Sequence, residues 1–139
     1  MIIADSGFWL AIFDDADNYH AIALKQLGQL QEPLITTTPV ITEVCYLLQK
    51  RRGQHLATAF LRSHRRGAFH LFEINEKHIA RCEELMIQYS NLPMDFADSS
   101  LVVLADHLGH GRIFSTDKRD FGVYRWKNRQ PFHNLLEDV

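Results

Sequence analysis

The sequence predicts a three-layer α/β/α fold with a central parallel sheet of four to five strands. Three observations predict it. Short apolar or β-branched runs recur as "MIIAD", "EPLITTTP", "AFHLFEI" and "GRIFST". Stretches with apolar residues at helical spacing separate each run from the next, which is the pattern of parallel βαβ units. The runs are also apolar enough to be buried between layers of helix.

In order along the chain, "MIIAD" reads as a strand ending at Asp5, and "SGFWLAIFDD" as a brief buried helix. "DNYHAIALKQLGQL" is a helix with Asp17 or Asn18 as its cap, and "EPLITTTP" is the second strand. Pro39 suits the first turn of the helix "VITEVCYLLQKRR", where its missing N–H costs little, and Gly53 ends that helix. "GQHLATAFLRSHRRG" is a further helix, "AFHLFEI" the third strand, and "NEKHIARCEELMIQYS" a helix capped by Asn75. "LPMDFADSSLVVLADHLG" forms the next helix, and "GRIFST" is a fourth strand stopped at Asp117. No internal repeat, linker or low-complexity segment interrupts the series.

With 139 residues, 46% of them hydrophobic and 23% charged, the chain fits one domain spanning 1–139. The apolar start has no basic leader and carries Asp5, so it does not read as a signal peptide, and no run approaches membrane-spanning length. Cys45 and Cys82 fall in helical patterns beside apolar residues, as buried reduced thiols of a cytoplasmic protein do. A formal net charge of −2 excludes a global nucleic-acid-like positive field. The basic charge is instead local, in "QKRRG", "RSHRRG" and "TDKRDFGVYRWKNR", which also suit helix C-termini.

In open parallel sheets, ligands bind outside the carboxyl ends of the strands. Asp5 ends the first strand and Asp117 stands just beyond the fourth, so both belong to that edge. Glu43 lies about a turn into the helix after the second strand, among Val40, Ile41, Val44, Leu47 and Leu48, where an ionised carboxylate needs a partner. Asp95 is placed to cap the helix of "MDFADSSLVV", which leaves Asp98, one turn further in, without a capping duty. Four carboxylates meeting at one edge raise each other's pKa or demand a cation. An all-oxygen set suits Mg²⁺ or Mn²⁺. Zinc is a poor match, because the eight histidines include no HExxH, and His107 and His110 sit at a helix end. "DDADN" lacks the glycine of a calcium loop.

Four stretches, "IIADSGFWLAIFD", "TTTPVITEVCYLL", "LPMDFADSSLVVLA" and "IFSTDKRDFGVYR", give the chain its resemblance to the PIN-domain family, which includes the VapC toxins of bacterial toxin–antitoxin pairs. The resemblance spans essentially the whole chain, with the motifs in the family's order. It implies a parallel sheet flanked by helices, frequent homodimers, and metal-dependent endonucleolytic cleavage of RNA to a 5′-phosphate and a 3′-hydroxyl. The family's acidic site falls on Asp5, Glu43, Asp98 and Asp117, with Asp5, Asp98 and Asp117 as metal ligands. Asp95, Asp120, Ser6 and Thr116 are secondary candidates: capping accounts for Asp95 better than a ligand role, Asp120 either binds a second metal or caps the turn before Phe121, and Ser6 is equally a helix cap. Lys50, Arg51, Arg52, Lys118, Arg119 and Arg125 are candidates for RNA phosphate contacts. Phe8, Trp9 and Trp126 are candidates for base stacking, though core burial accounts for Phe8 and Trp9. The implied partners are single-stranded RNA and a small antitoxin protein. A stand-alone RNA-processing nuclease, a phosphotransfer enzyme and a non-catalytic binding module are the competing readings.

Overall fold

The computed structural model describes residues 1–138, so Val139 lies outside the described part of the 1–139 domain. Strand β1 (Ile2–Ala4) is followed by α1 (Ser6–Phe13) and α2 (His20–Gly28), and β2 (Leu34–Thr37) by α3 (Thr38–Arg52) and α4 (Gln54–Arg65). After β3 (Phe69–Phe72), a 3₁₀ turn (Glu76–His78) leads into α5 (Ile79–Gln88) and α6 (Phe96–Leu108). The chain closes with β4 (Arg112–Phe114), α7 (Lys118–Phe121), β5 (Arg125–Trp126), β6 (Gln130–Pro131), β7 (His133–Asn134) and a last 3₁₀ turn (Leu135–Asp138).

Five strands form one parallel sheet in the order β3-β2-β1-β4-β7, which agrees with the predicted α/β architecture. From β1 the chain steps outward to β2 and β3, then returns across the sheet to place β4 on the other side of β1. Right-handed crossovers therefore put α1–α4 on one face and α5–α6 on the other. The gap between β1 and β4 is where the winding reverses, the position at which such sheets bind ligands. The register there pairs Ile3 with Ile113 and Ala4 with Phe114.

The core fills both sides of the short, buried strands. Phe8 stacks on Phe114 at 4.8 Å, and Trp9 lies 4.6 Å from Phe69, so both are core residues. Trp126 is half-buried and donates its indole N–H to the Pro131 carbonyl at 3.0 Å. Cys82 is buried, Cys45 is half-buried and both are free thiols.

Helix starts and stops follow local chemistry. Thr37 caps α3, Pro39 sits in its first turn, and Gly53, at φ +110°, ends it. Asn75 caps the 3₁₀ turn before α5, as predicted. At α2 the outcome differs. Asp17 accepts the Tyr19 N–H at 2.9 Å and so caps the preceding turn, while the first helical residue is His20. Among the described residues, no helix is long and apolar enough to cross a membrane.

Candidate active site

The site begins where β1 gives way to α1. Asp5 is the N-cap of α1; its Oδ1 accepts the Ser6 N–H at 2.6 Å and the Ser6 hydroxyl at 3.2 Å. Asp5, not Ser6, therefore caps this helix. Gly7 permits the close approach that follows, because a Cβ there would lie 2.0 Å from the Thr116 Oγ1. With Gly7 in place, the first turn of α1 packs directly against the loop after β4.

That loop brings the second carboxylate. Continuing the β1–β4 register sets Ser115 beside Asp5, and the Ser115 hydroxyl donates to Asp5 Oδ2 at 2.8 Å. The same hydroxyl oxygen accepts the Asp117 N–H at 2.9 Å, so one serine fixes both acids. Asp117 then caps α7 by accepting the Asp120 N–H at 3.1 Å. Asp120 lies in the first turn of α7, so the cap belongs to Asp117 rather than to Asp120.

The opposite wall is the start of α6. Asp95 is its N-cap and accepts the Asp98 N–H at 2.8 Å, as predicted. Asp98 answers through Oδ2, which accepts the Asp95 N–H at 3.4 Å, so the pair forms a capping box and Asp98 does carry a capping duty. The same Oδ2 accepts the hydroxyl of Tyr124 at 3.3 Å. Glu43 comes from the second turn of α3.

Asp5, Glu43, Asp98 and Asp117 line a single cavity of about 440 Å³, together with Ser6, Gly7, Asp95, Thr116, Asp120 and Arg51. Burial, and after it mutual charge, raises the proton affinities of Asp5, Glu43, Asp98 and Asp120. Burial pushes Asp5 up to about 6, partly offset by its bonds to Ser115 and Ser6. Burial lifts Glu43 to about 7, opposed by Ser6 and reinforced by the charges of Asp95 and Asp5. Asp98 rises to about 8 through burial and then the charges of Asp95 and Asp5. Burial and the Asp117 charge raise Asp120.

A model of the PIN domain family matches residues 2–127, nearly the whole chain. The chain belongs to the PIN domain family. Ribonuclease VapC26 of Mycobacterium tuberculosis is 29% identical to it over 124 residues, covering 89% of this chain and 92% of that protein. In fold, this PIN domain resembles the crystal structure of Mycobacterium tuberculosis VapC20, described as a sarcin-ricin loop cleaving toxin. The TM-score is 0.80 at 18% identity, over 86% of this chain and 92% of that one.

The donors of this PIN domain are oxygen atoms of carboxylates and hydroxyls, the chemistry of a hard divalent cation. Among the described residues, no three His, Cys, Asp or Glu side chains stand close enough to enclose an ion as they lie. The acids nevertheless face one cavity, and Ser115 ties Asp5 to Asp117. On donor chemistry the fit holds.

The basic candidates are scattered. Arg51 lines the cavity and bonds Asp17 at 2.9 Å and Asp14 at 3.3 Å. Arg52 bonds Asp14 at 2.9 Å and Asp15 at 2.8 Å. Arg125 folds back onto the carbonyls of Gly122, Val123 and Tyr124. Lys50 stands over the Tyr46 ring, while Lys118 and Arg119 belong to α7 beside Asp117. Sequence reasoning missed Ser115 and Tyr124. Ser115 left a faint signal in "STD", two residues before the acid it bonds; Tyr124 left none.

Proposed function

We propose that this PIN domain is a metal-dependent endoribonuclease that hydrolyses phosphodiester bonds of single-stranded RNA in the cytoplasm, as the toxin of a toxin–antitoxin pair. The observation that carries the proposal is the convergence of Asp5, Glu43, Asp98 and Asp117, from four separate segments, on one cavity at the switch point of the sheet. The resemblance to a mycobacterial VapC ribonuclease supports the choice of RNA.

Asp5 and Asp98 would hold Mg²⁺ or Mn²⁺, with Asp117 as a further ligand. Such an ion supplies the positive charge that binds a scissile phosphate and acidifies water. Ser115 keeps Asp5 and Asp117 in fixed relation. Glu43, on the cavity wall, would accept a proton from the attacking water. Attack forms a new oxygen–phosphorus bond and breaks the bond to the 3′-oxygen, which leaves as a hydroxyl once protonated, so the other product keeps a 5′-phosphate. Arg51, on the cavity wall, would exchange Asp14 and Asp17 for a neighbouring phosphate, and Lys50, Arg52, Lys118, Arg119 and Arg125 would supply further phosphate contacts outside the cavity.

The acidic cavity equally suits a guanidinium. An antitoxin that inserts an Arg among the four acids would occupy their oxygens and block the phosphate. The partner for the homodimer is a second copy of this chain.

The test is cleavage of end-labelled single-stranded RNA by the purified chain. Cleavage is expected with Mn²⁺ or Mg²⁺ and not with EDTA. Asp5→Asn and Asp98→Asn should each lower the rate at least about a hundredfold. Full activity in either variant, or undiminished cleavage in EDTA, overturns the proposal.

A further inference from the structure

Tyr124 is fully buried, yet its hydroxyl reaches the acidic site. Its ring is clamped edge-on by Phe121, at 5.0 Å and 82°, and by Tyr89, at 5.1 Å and 66°. Its backbone N–H donates to the Asp120 carbonyl at 3.0 Å, so Tyr124 is anchored to α7, the helix that Asp117 caps. A ring fixed on both sides fixes its hydroxyl as well.

That hydroxyl meets Oδ2 of Asp98, the oxygen that also accepts the Asp95 N–H. Oδ1 receives no donor among the described residues and is the oxygen left for a cation. Ligand groups fixed by outer hydrogen bonds set both affinity and geometry at metal sites. Ca²⁺ takes six to eight oxygens and often both oxygens of one carboxylate, whereas Mg²⁺ requires a tighter octahedron and keeps several waters. A carboxylate with one oxygen already committed favours the smaller ion.

We propose that Tyr124 is a positioning residue that confines Asp98 to one-oxygen metal binding and so biases the site towards Mg²⁺ or Mn²⁺ over Ca²⁺. The inference rests on the reading of the four acids as a metal site, and it concerns one hydroxyl outside those acids.

The experiment titrates metal-free wild type, Tyr124→Phe and Tyr89→Phe with Mn²⁺ and with Ca²⁺ by calorimetry, without RNA. Tyr124→Phe keeps the ring packing and removes only the hydroxyl. The preference for Mn²⁺ over Ca²⁺ should fall about tenfold or more in Tyr124→Phe, the scale on which outer-shell partners act. Tyr89→Phe removes a hydroxyl of the same aromatic cluster that accepts the Arg125 N–H instead, and should leave the preference as in wild type. An unchanged preference in Tyr124→Phe, or an equal change in both variants, overturns the role of Tyr124 alone. A wild type that binds neither ion overturns the metal-site reading together with it. Should Tyr124→Phe fail to fold, wild-type crystals soaked in Mn²⁺ decide the matter: Asp98 on the ion through one oxygen is the expected result, and through both the contrary one.

Discussion

At Asp98, burial and the charges of Asp95, Asp5 and Glu43 all favour the protonated acid. Asp5 and Glu43 are displaced in the same direction, to about 6 and about 7. The folded chain therefore holds more protons than the unfolded chain from about pH 4, where free carboxyls titrate, to about pH 8. Stability from these groups is complete below that window and is lost as pH rises through it. Without metal, the melting temperature should fall between pH 5 and pH 8.5. Glu32, held near 2 by Arg112, acts only on the acid side of that range. Asp98→Asn should flatten the decline and be as stable as wild type at pH 8, or more so by about 0–2 kcal/mol. Millimolar Mn²⁺ should then stabilise wild type and not the variant, since a ligand of the native state acts by mass action. Thermal melts over pH, with and without Mn²⁺, measure all three, and a metal-free melting temperature that rises with pH would contradict the assignment. That four acids would share one cavity was legible from the strand ends at Asp5 and Asp117 and from Glu43 among apolar neighbours, whereas Asp98 was singled out as surplus to a capping duty that it does carry. Ser115 and Tyr124 were not legible, since each acts across a tertiary contact, Tyr124 on a residue 26 positions away.

Elements meet at the site only if their ends are fastened, and α3 is fastened at its C-terminus. Asp14, buried at the end of α1, receives both Arg51 and Arg52 and also the Ala16 N–H. Burial pulls its pKa up, but these three partners outweigh it and leave it below the usual carboxylate range. The arginines are roughly two-fifths exposed, which screens the attraction. Asp14→Ala should still cost about 1–3 kcal/mol, through lost charge-assisted bonds and two guanidinium groups left without that partner. Urea unfolding checks this, and a loss below about 0.5 kcal/mol would show that the network holds nothing. The strands and long helices could be read from apolar periodicity because burial selects it. The strands β5, β6 and β7, two residues each, carry no period to read. The turn between β5 and β6 depends on Lys127 and Asn128 at φ 47° and 62°, where only the asparagine is an ordinary choice.

Over the whole molecule, apolar exposure is uneven. Among the described residues, Ile87, Tyr46 and Ile79 are the most exposed large hydrophobics, at 69%, 63% and 52%. They line two clefts of about 740 and 470 Å³ that share Phe96, and the larger cleft also shares Glu43 and Asp95 with the acidic cavity. The charged residues of both clefts, Glu43, Asp95 and Glu83, are acidic, which disfavours a polyanion on this surface. An isologous contact, in which one patch must complement itself, would seat these protruding apolar side chains in the clefts of the partner copy. A dimer should therefore form here at micromolar concentration, and Ile87→Glu should convert it to monomer with little change in melting temperature. Sedimentation equilibrium decides; a variant that keeps the dimer mass places the contact elsewhere.

The order of the acids along the chain has a consequence during synthesis. A ribosome releases β1, β2 and β3 with Asp5 and Glu43 well before Asp98 and Asp117 have been made, and β1 gains its neighbour β4 only after residue 114 emerges. A half-made chain thus carries two of the four carboxylates and has no wall opposite Asp5. On the proposed reading, the nascent enzyme is inert beside the messenger and ribosomal RNA that surround it. It becomes competent only once its closing segment clears the exit tunnel, which gives a co-produced inhibitor time to be waiting.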